Sequence, residues 1–179
     1  MNRRSFRLLW LTLPCALFSA GCIIDDAGPV WIQDNAPTPL TLETPSNLPP
    51  ITIPEDNPLT VEGVELGRHL FYEPMLSADN TQSCGTCHVQ EFGFSDRGRQ
   101  FSTGIDGLQG DKNAMAIINL GWAQEFFWDG RAAGMENQAR LPVINPIEMH
   151  ESWPNVVAKL QATTKYPAMF EAAFETDQI

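Results

Sequence analysis

Apolar and polar residues divide this chain into three stretches. Arg3, Arg4 and Arg7 precede an uncharged, mostly apolar run over residues 8–20, which closes on the small residues Ser19-Ala20-Gly21 and then Cys22. That run is too short to span a bilayer and has the layout of an export signal, so residues 1–21 are expected to be removed ahead of Cys22. Over residues 23–58 eight prolines fall among positions with little apolar periodicity, which predicts an extended Pro-rich tether spanning 22–58. The pattern then turns helical. Thr60 is placed to cap an amphipathic helix whose Val61, Val64, Leu70 and Phe71 lie near one face and which Pro74 ends. Residues 75–82 read as a polar loop. Residues 89–112, with Gly93, Gly98, Gly104, Gly107 and Gly110, read as a long loop of the kind that usually has a function. Residues 113–120, 135–141 and 152–174 are the remaining helical stretches, the last begun by Ser152 ahead of Trp153-Pro154. No segment alternates as a strand would. The expectation is a small, loop-rich, all-α domain over residues 59–179.

Composition narrows the partners. Acidic residues outnumber basic ones 22 to 11, and the leader holds three of the basic ones, so the exported chain carries 8 against 22, a net charge of −14. Such a surface excludes nucleic acid as a partner and either steers a basic redox protein or simply keeps the chain soluble.

The chemistry sits in Cys84-Gly85-Thr86-Cys87-His88. Positions i, i+3 and i+4 share one helical face, so two thiols can join the vinyl groups of one porphyrin while the imidazole turns to the iron. Ser83 is the expected N-cap of that short helix. A thioredoxin-like pair, half a zinc site or a disulfide also uses C-x-x-C, but none needs the following His, and no second C-x-x-C completes a zinc site. The motif is read as covalent attachment of one haem c, held by Cys84 and Cys87 with His88 on the iron.

Three resemblances follow from these residues. Ser19-Ala20-Gly21-Cys22 resembles a bacterial lipoprotein signal, which implies a lipid on Cys22, and Ile23 after it implies anchoring at the outer membrane, facing the periplasm. Asn2-Arg3-Arg4-Ser5-Phe6 resembles a twin-arginine signal, yet haem c is attached to unfolded exported chains, which favours the general secretion route. The larger resemblance is carried by Val64-Glu65-Leu66-Gly67-Arg68, Leu70-Phe71, Leu76-Ser77, the haem motif, Lys112-Asn113-Ala114, Phe127-Trp128-Asp129-Gly130-Arg131, Gln138-Ala139 and Asn145-Pro146-Ile147-Glu148-Met149. These look like the N-terminal haem domain of bacterial di-haem cytochrome c peroxidases and the related MauG-type enzymes, over residues 58–174. The resemblance implies a cytochrome c-like fold and reduction of hydrogen peroxide, with electrons from a small donor protein such as a cytochrome c or a cupredoxin, or from a second haem domain. Glu148 would move a proton from one peroxide oxygen to the departing one, with Gln138 as a second hydrogen-bonding group. Trp128 matches the tryptophan between the two haems, Arg131 would pair with a haem propionate or with Asp129, and Asn113 matches a residue that helps hold calcium at the domain junction.

Two departures from the family pattern stand out. Ile105 occupies the position where members that need reductive activation carry a His ligand, so the far side of the haem is expected to stay open; His150 is the nearest replacement but is expected on an exposed loop, and His69 is expected to be a packed or surface residue rather than a ligand. The chain also ends at Ile179, where the family's second domain would begin, so the electron-entry haem is expected to be absent and the junction face exposed to association. The rival classes are a plain electron carrier, closed by one of Met75, Met115, Met135, Met149 or Met169, a MauG-like oxidant of a partner protein, and a haem or peroxide sensor.

Overall fold

Thr60 starts the first helix, α1 (Val61–Phe71), because its hydroxyl accepts the Gly63 N–H at 3.0 Å and satisfies one of the donors left open at a helix start. Tyr72 ends it. Glu73 then caps the single 3₁₀ turn Pro74–Leu76 by accepting the Met75 N–H at 3.0 Å. In this computed structural model residues 36–179 are described; the leader, Cys15, Cys22 and the first part of the Pro-rich segment lie outside the described residues. Further α-helices follow: α2 (Cys84–Cys87), α3 (Met135–Ile144), α4 (Trp153–Gln161) and α5 (Lys165–Phe174). The fold is mostly helical with little sheet. No helix among the described residues is long and apolar enough to cross a membrane.

The core gathers Leu66 of α1, Leu76, Val143 of α3, Met149, Val156 and Leu160 of α4, and Tyr166 and Ala173 of α5. Each large aliphatic side chain there contributes about 1.5–3 kcal/mol by leaving water. Tyr166 is 0% exposed, and its hydroxyl donates to Glu73 Oε2 at 2.5 Å, which ties α5 to the end of α1. Burial, and then the Glu73 carboxylate, push its phenol well above the usual range.

A second tie runs through Lys159 of α4. Its ammonium pairs with Glu151 Oε2 at 2.6 Å and donates to the carbonyls of Ser77 (2.7 Å) and Met75 (3.3 Å). Glu151 is buried, and although burial works against its charge, Lys159, the Ser152 N–H and Asn155 hold its carboxyl below the usual range. Lys159→Met is expected to lower stability by about 2–3 kcal/mol, because it strands a buried carboxylate. Denaturant titration of the variant against Lys159→Met/Glu151→Gln checks it, the double variant being the more stable.

Four expectations are corrected. Residues 152–174 form two helices, because the Thr163 hydroxyl donates to Leu160 O at 2.8 Å and accepts the Tyr166 N–H at 3.1 Å, closing α4 and opening α5. Residues 113–120 are irregular: Ile117 N donates to Phe94 O (3.2 Å) and Asn113 O accepts the Trp128 indole (3.2 Å), so their backbone groups serve distant segments. The all-α expectation misses a two-residue antiparallel ladder, β1 (Glu125–Phe126) against β2 (Ala132–Ala133), whose inner residues Phe126 and Ala132 are buried. Residues 36–58 are irregular, as expected, but strapped to the domain. Thr38 donates twice to the Glu62 carboxylate (2.7 and 2.8 Å), Leu40 N reaches Leu59 O (2.9 Å), Pro49 O accepts the Trp122 indole (2.8 Å) and Asn57 donates to Glu136 (2.8 Å).

Candidate functional site

The turn α2 is held shut by its own side chains. Ser83 N donates to Thr86 Oγ1 at 3.0 Å, with the two hydroxyls 3.3 Å apart, so the expected cap at Ser83 is present as a reciprocal pair. Gly85 has no room for a side chain: a Cβ there would come within 2.5 Å of the Tyr72 ring. Cys84 and Cys87 are half-buried and not joined to each other, and burial pushes both thiols up, with the negative charge of Asp96 adding to the effect at Cys87.

His88 is oriented by the loop that follows it. An antiparallel bridge between Val89 and Ser95, a 3₁₀ turn at Gln90–Phe92 and left-handed backbone at Gly93 (φ 64°) and Phe94 (φ 55°) bring the Phe94 carbonyl back to His88 Nδ1 at 3.1 Å. A carbonyl only accepts, so Nδ1 carries the proton and Nε2 keeps its lone pair. Burial lowers the basicity of the ring and favours the neutral, metal-binding form. Two unpaired thiols one turn apart beside a half-buried neutral imidazole are a donor set that fits haem c.

Glu148 is built onto the same place by a different segment. Asn145 anchors its turn, accepting the Ile147 N–H through Oδ1 (3.2 Å), accepting the His150 N–H through its carbonyl (2.9 Å) and donating Nδ2 to Glu148 Oε1 (2.6 Å). The loop 102–105 presses against that turn. Ile105 N donates to Glu148 O at 2.8 Å, and a Cβ on Gly104 would lie 2.2 Å from Ile147 O and 2.6 Å from Glu148 O. The same loop brings Thr103 O to 3.9 Å from Cys87 Sγ, so the haem turn, the loop and the Glu148 turn are stacked in that order. Burial raises the Glu148 carboxyl above the usual range, against the opposing effects of Asn145 and of the Arg131 charge. Its charge is in turn felt at the Cys87 thiol. Ile105 is 3% exposed and offers nothing to a metal.

The remaining expected residues spread around this centre. Trp128 stands at the tip of the β1–β2 hairpin, 63% exposed, tied by its indole N–H to Asn113 O, so these two are brought together. Arg131 pairs with Asp129 at 2.9 Å and lies 3.6 Å over the Phe127 ring, with Gly130 (φ 70°) making the turn between them. Gln138 is half-buried on α3, with no hydrogen bond to Glu148. His150 is exposed, and His69 is exposed beside Lys165 (3.0 Å). The sequence reading missed Phe94, Gly104 and Asp96. Their roles depend on contacts between segments, and only the loop glycines gave a signal.

Residues 61–179 match the model of the di-haem cytochrome c peroxidase family. The chain is 38% identical over 146 residues to the methylamine utilization protein MauG of Methylorubrum extorquens, covering 82% of this chain and 40% of that protein. It is 40% identical over 138 residues to the cytochrome c peroxidase Ccp of Escherichia coli, covering 74% and 30%. Among solved structures, a MauG-like protein associated with microbial copper homeostasis superposes with a TM-score of 0.71 at 37% identity, covering 76% of this chain and 40% of that one. The chain thus spans less than half the length of these relatives. On the match of residues 61–179 to that family's model, the chain belongs to the di-haem cytochrome c peroxidase family.

Proposed function

We propose that this domain reduces hydrogen peroxide to two waters, taking up two electrons and two protons per turnover. The observation that carries the reading is Glu148, a partly desolvated carboxylate clamped by Asn145 and stacked over the loop that touches Cys87. A haem c on Cys84, Cys87 and His88 supplies the redox equivalents for cleaving the oxygen–oxygen bond. The chain supplies the rest. Glu148 accepts a proton from one peroxide oxygen and returns it to the other, so that water rather than hydroxide departs. Asn145 holds the carboxylate in one rotamer, and Ile105 keeps the space free of a competing ligand. Electrons come from a small cytochrome c or cupredoxin or through a second haem domain, with the exposed Trp128 as the relay. The same tryptophan supports the second reading, MauG-like oxidation of a partner protein at the domain surface. Calcium on Asn113, export to the periplasm and a lipid on Cys22 complete the proposal.

A plain carrier with a methionine sixth ligand fits less well. Met75, Met149 and Met169 are taken up by the core, and Met115 lies with its backbone beside His88 itself. The test is the absorption and electron paramagnetic resonance of the ferric, haem-loaded protein with and without peroxide. A high-spin signal that changes on adding peroxide is expected. A low-spin His/Met signal that is silent to peroxide would overturn the proposal.

A further inference from the structure

Asp96 is the least comfortable side chain near the haem turn. The Val89–Ser95 bridge brings together the two backbone segments that carry His88, just before it, and Asp96, just after it. Its side chain is 1% exposed. One oxygen meets Arg97 at 3.3 Å and Arg99 at 3.7 Å, both guanidiniums standing largely in water, where solvent weakens their neutralising effect. The other oxygen is buried with no hydrogen-bond partner. Gln82 Oε1 is also buried with no hydrogen-bond partner, and the Ser102 hydroxyl has the Cys87 thiol beside it. A fold gains nothing in stability from a buried, half-satisfied anion, and such arrangements cluster where function needs them.

We propose that Asp96 is a fixed buried charge that lowers the reduction potential of the haem held by Cys84, Cys87 and His88. Ferric haem carries one more positive charge than ferrous haem, and an anion in a poorly solvated pocket favours the former. The carboxylate touches neither peroxide nor electron donor; it acts through its field. Arg97 and Arg99 then act as attenuators, and removing one has the opposite sign from removing Asp96.

This inference rests on the haem c reading but not on peroxide reduction. The experiment is a spectroscopic redox titration of the haem-loaded protein. Asp96→Asn, which keeps the shape and an acceptor for Arg97, is expected to raise the ferrous-to-ferric ratio at fixed potential at least tenfold, a midpoint shift of ~59 mV for one electron. Arg99→Gln is expected to shift the midpoint the other way, by about half as much on the same scale. An unchanged or lowered midpoint in Asp96→Asn overturns the proposal. If that variant fails to retain haem, the Arg99→Gln titration decides it, a midpoint that stays or rises being the overturning result. A wild-type protein without a c-type haem spectrum would instead sink the haem reading. Expected shifts in a protein inert to peroxide would sink only the peroxidase reading.

Discussion

Glu148→Gln is expected to slow the reaction of the haem-loaded protein with hydrogen peroxide by about 10²–10⁴-fold, the usual worth of a positioned general acid–base, or about 3–5 kcal/mol of barrier. Glutamine keeps the length and an oxygen for the Asn145 amide, now 2.6 Å from the carboxylate, so the turn has no reason to move. Only the ability to take and return a proton is lost. Rapid mixing with peroxide measures it, and a variant as fast as the wild type would remove Glu148 from the mechanism. Burial gives the pH dependence a sign. Because the folded carboxyl titrates above an exposed glutamate, the rate in the wild type falls on acidification through that raised range rather than near pH ~4.3, and the variant lacks this limb. The same shift runs through stability. A carboxyl whose pKa rises on folding stabilises the fold only at low pH, and that contribution is lost as pH climbs through the folded value. Relative to the wild type, the glutamine variant is therefore expected to gain stability as pH rises from ~4.3 through the raised folded range, which paired denaturant titrations would show.

Gly104→Ala is expected to be the most damaging small change in the loop, costing about 3 kcal/mol or more, at or beyond the upper end of ordinary overpacking. The new methyl would sit 2.2 Å from Ile147 O and 2.7 Å from Glu148 Cα, and backbone atoms cannot swing aside as the end of a flexible side chain can. One segment must retreat, and with it goes the 2.8 Å bond from Ile105 N to Glu148 O that sets the height of the Glu148 turn. Stability and peroxide reactivity should therefore fall together. Gly107→Ala separates this from simple backbone strain: its φ of 73° strains any side chain, but its Cβ meets nothing within 4 Å. If the two alanine variants lose the same stability and both keep full reactivity, the close approach at Gly104 has no role in placing Glu148.

How far the sequence could be read depended on whether a feature was local. Thr60 before an amphipathic run, Ser83 before the haem motif and Ser152 before Trp153-Pro154 each announced a helix start, because a cap and the turn it closes are neighbours in the chain. The break in the last helix was hidden because Thr163 looks like one more helical residue until its hydroxyl serves Leu160 and Tyr166 at once. The short ladder at Glu125–Phe126 was hidden because two residues are too few to alternate. At the candidate site, motif and family resemblance point to Cys84, Cys87, His88 and Glu148, which the fold places on stacked segments. The carbonyl that orients His88, the glycine that admits the Glu148 turn and the buried Asp96 were not legible in the sequence. Each is defined by a partner on another stretch of chain or by burial that no local pattern shows.

The strap over residues 36–58 gives the domain a load path. Tension carried to Thr38 is borne by its two bonds to Glu62 and by the paired Leu40–Leu59 and Thr38–Val61 bonds, all at the capped start of α1. Those bonds share the load before any of it reaches the contacts further along, at Trp122 and at Glu136. The haem turn and the Glu148 turn take no part in that chain of bonds. A pull from the N-terminal side is thus resisted at a helix end, leaving the spacing of the reacting groups to the core.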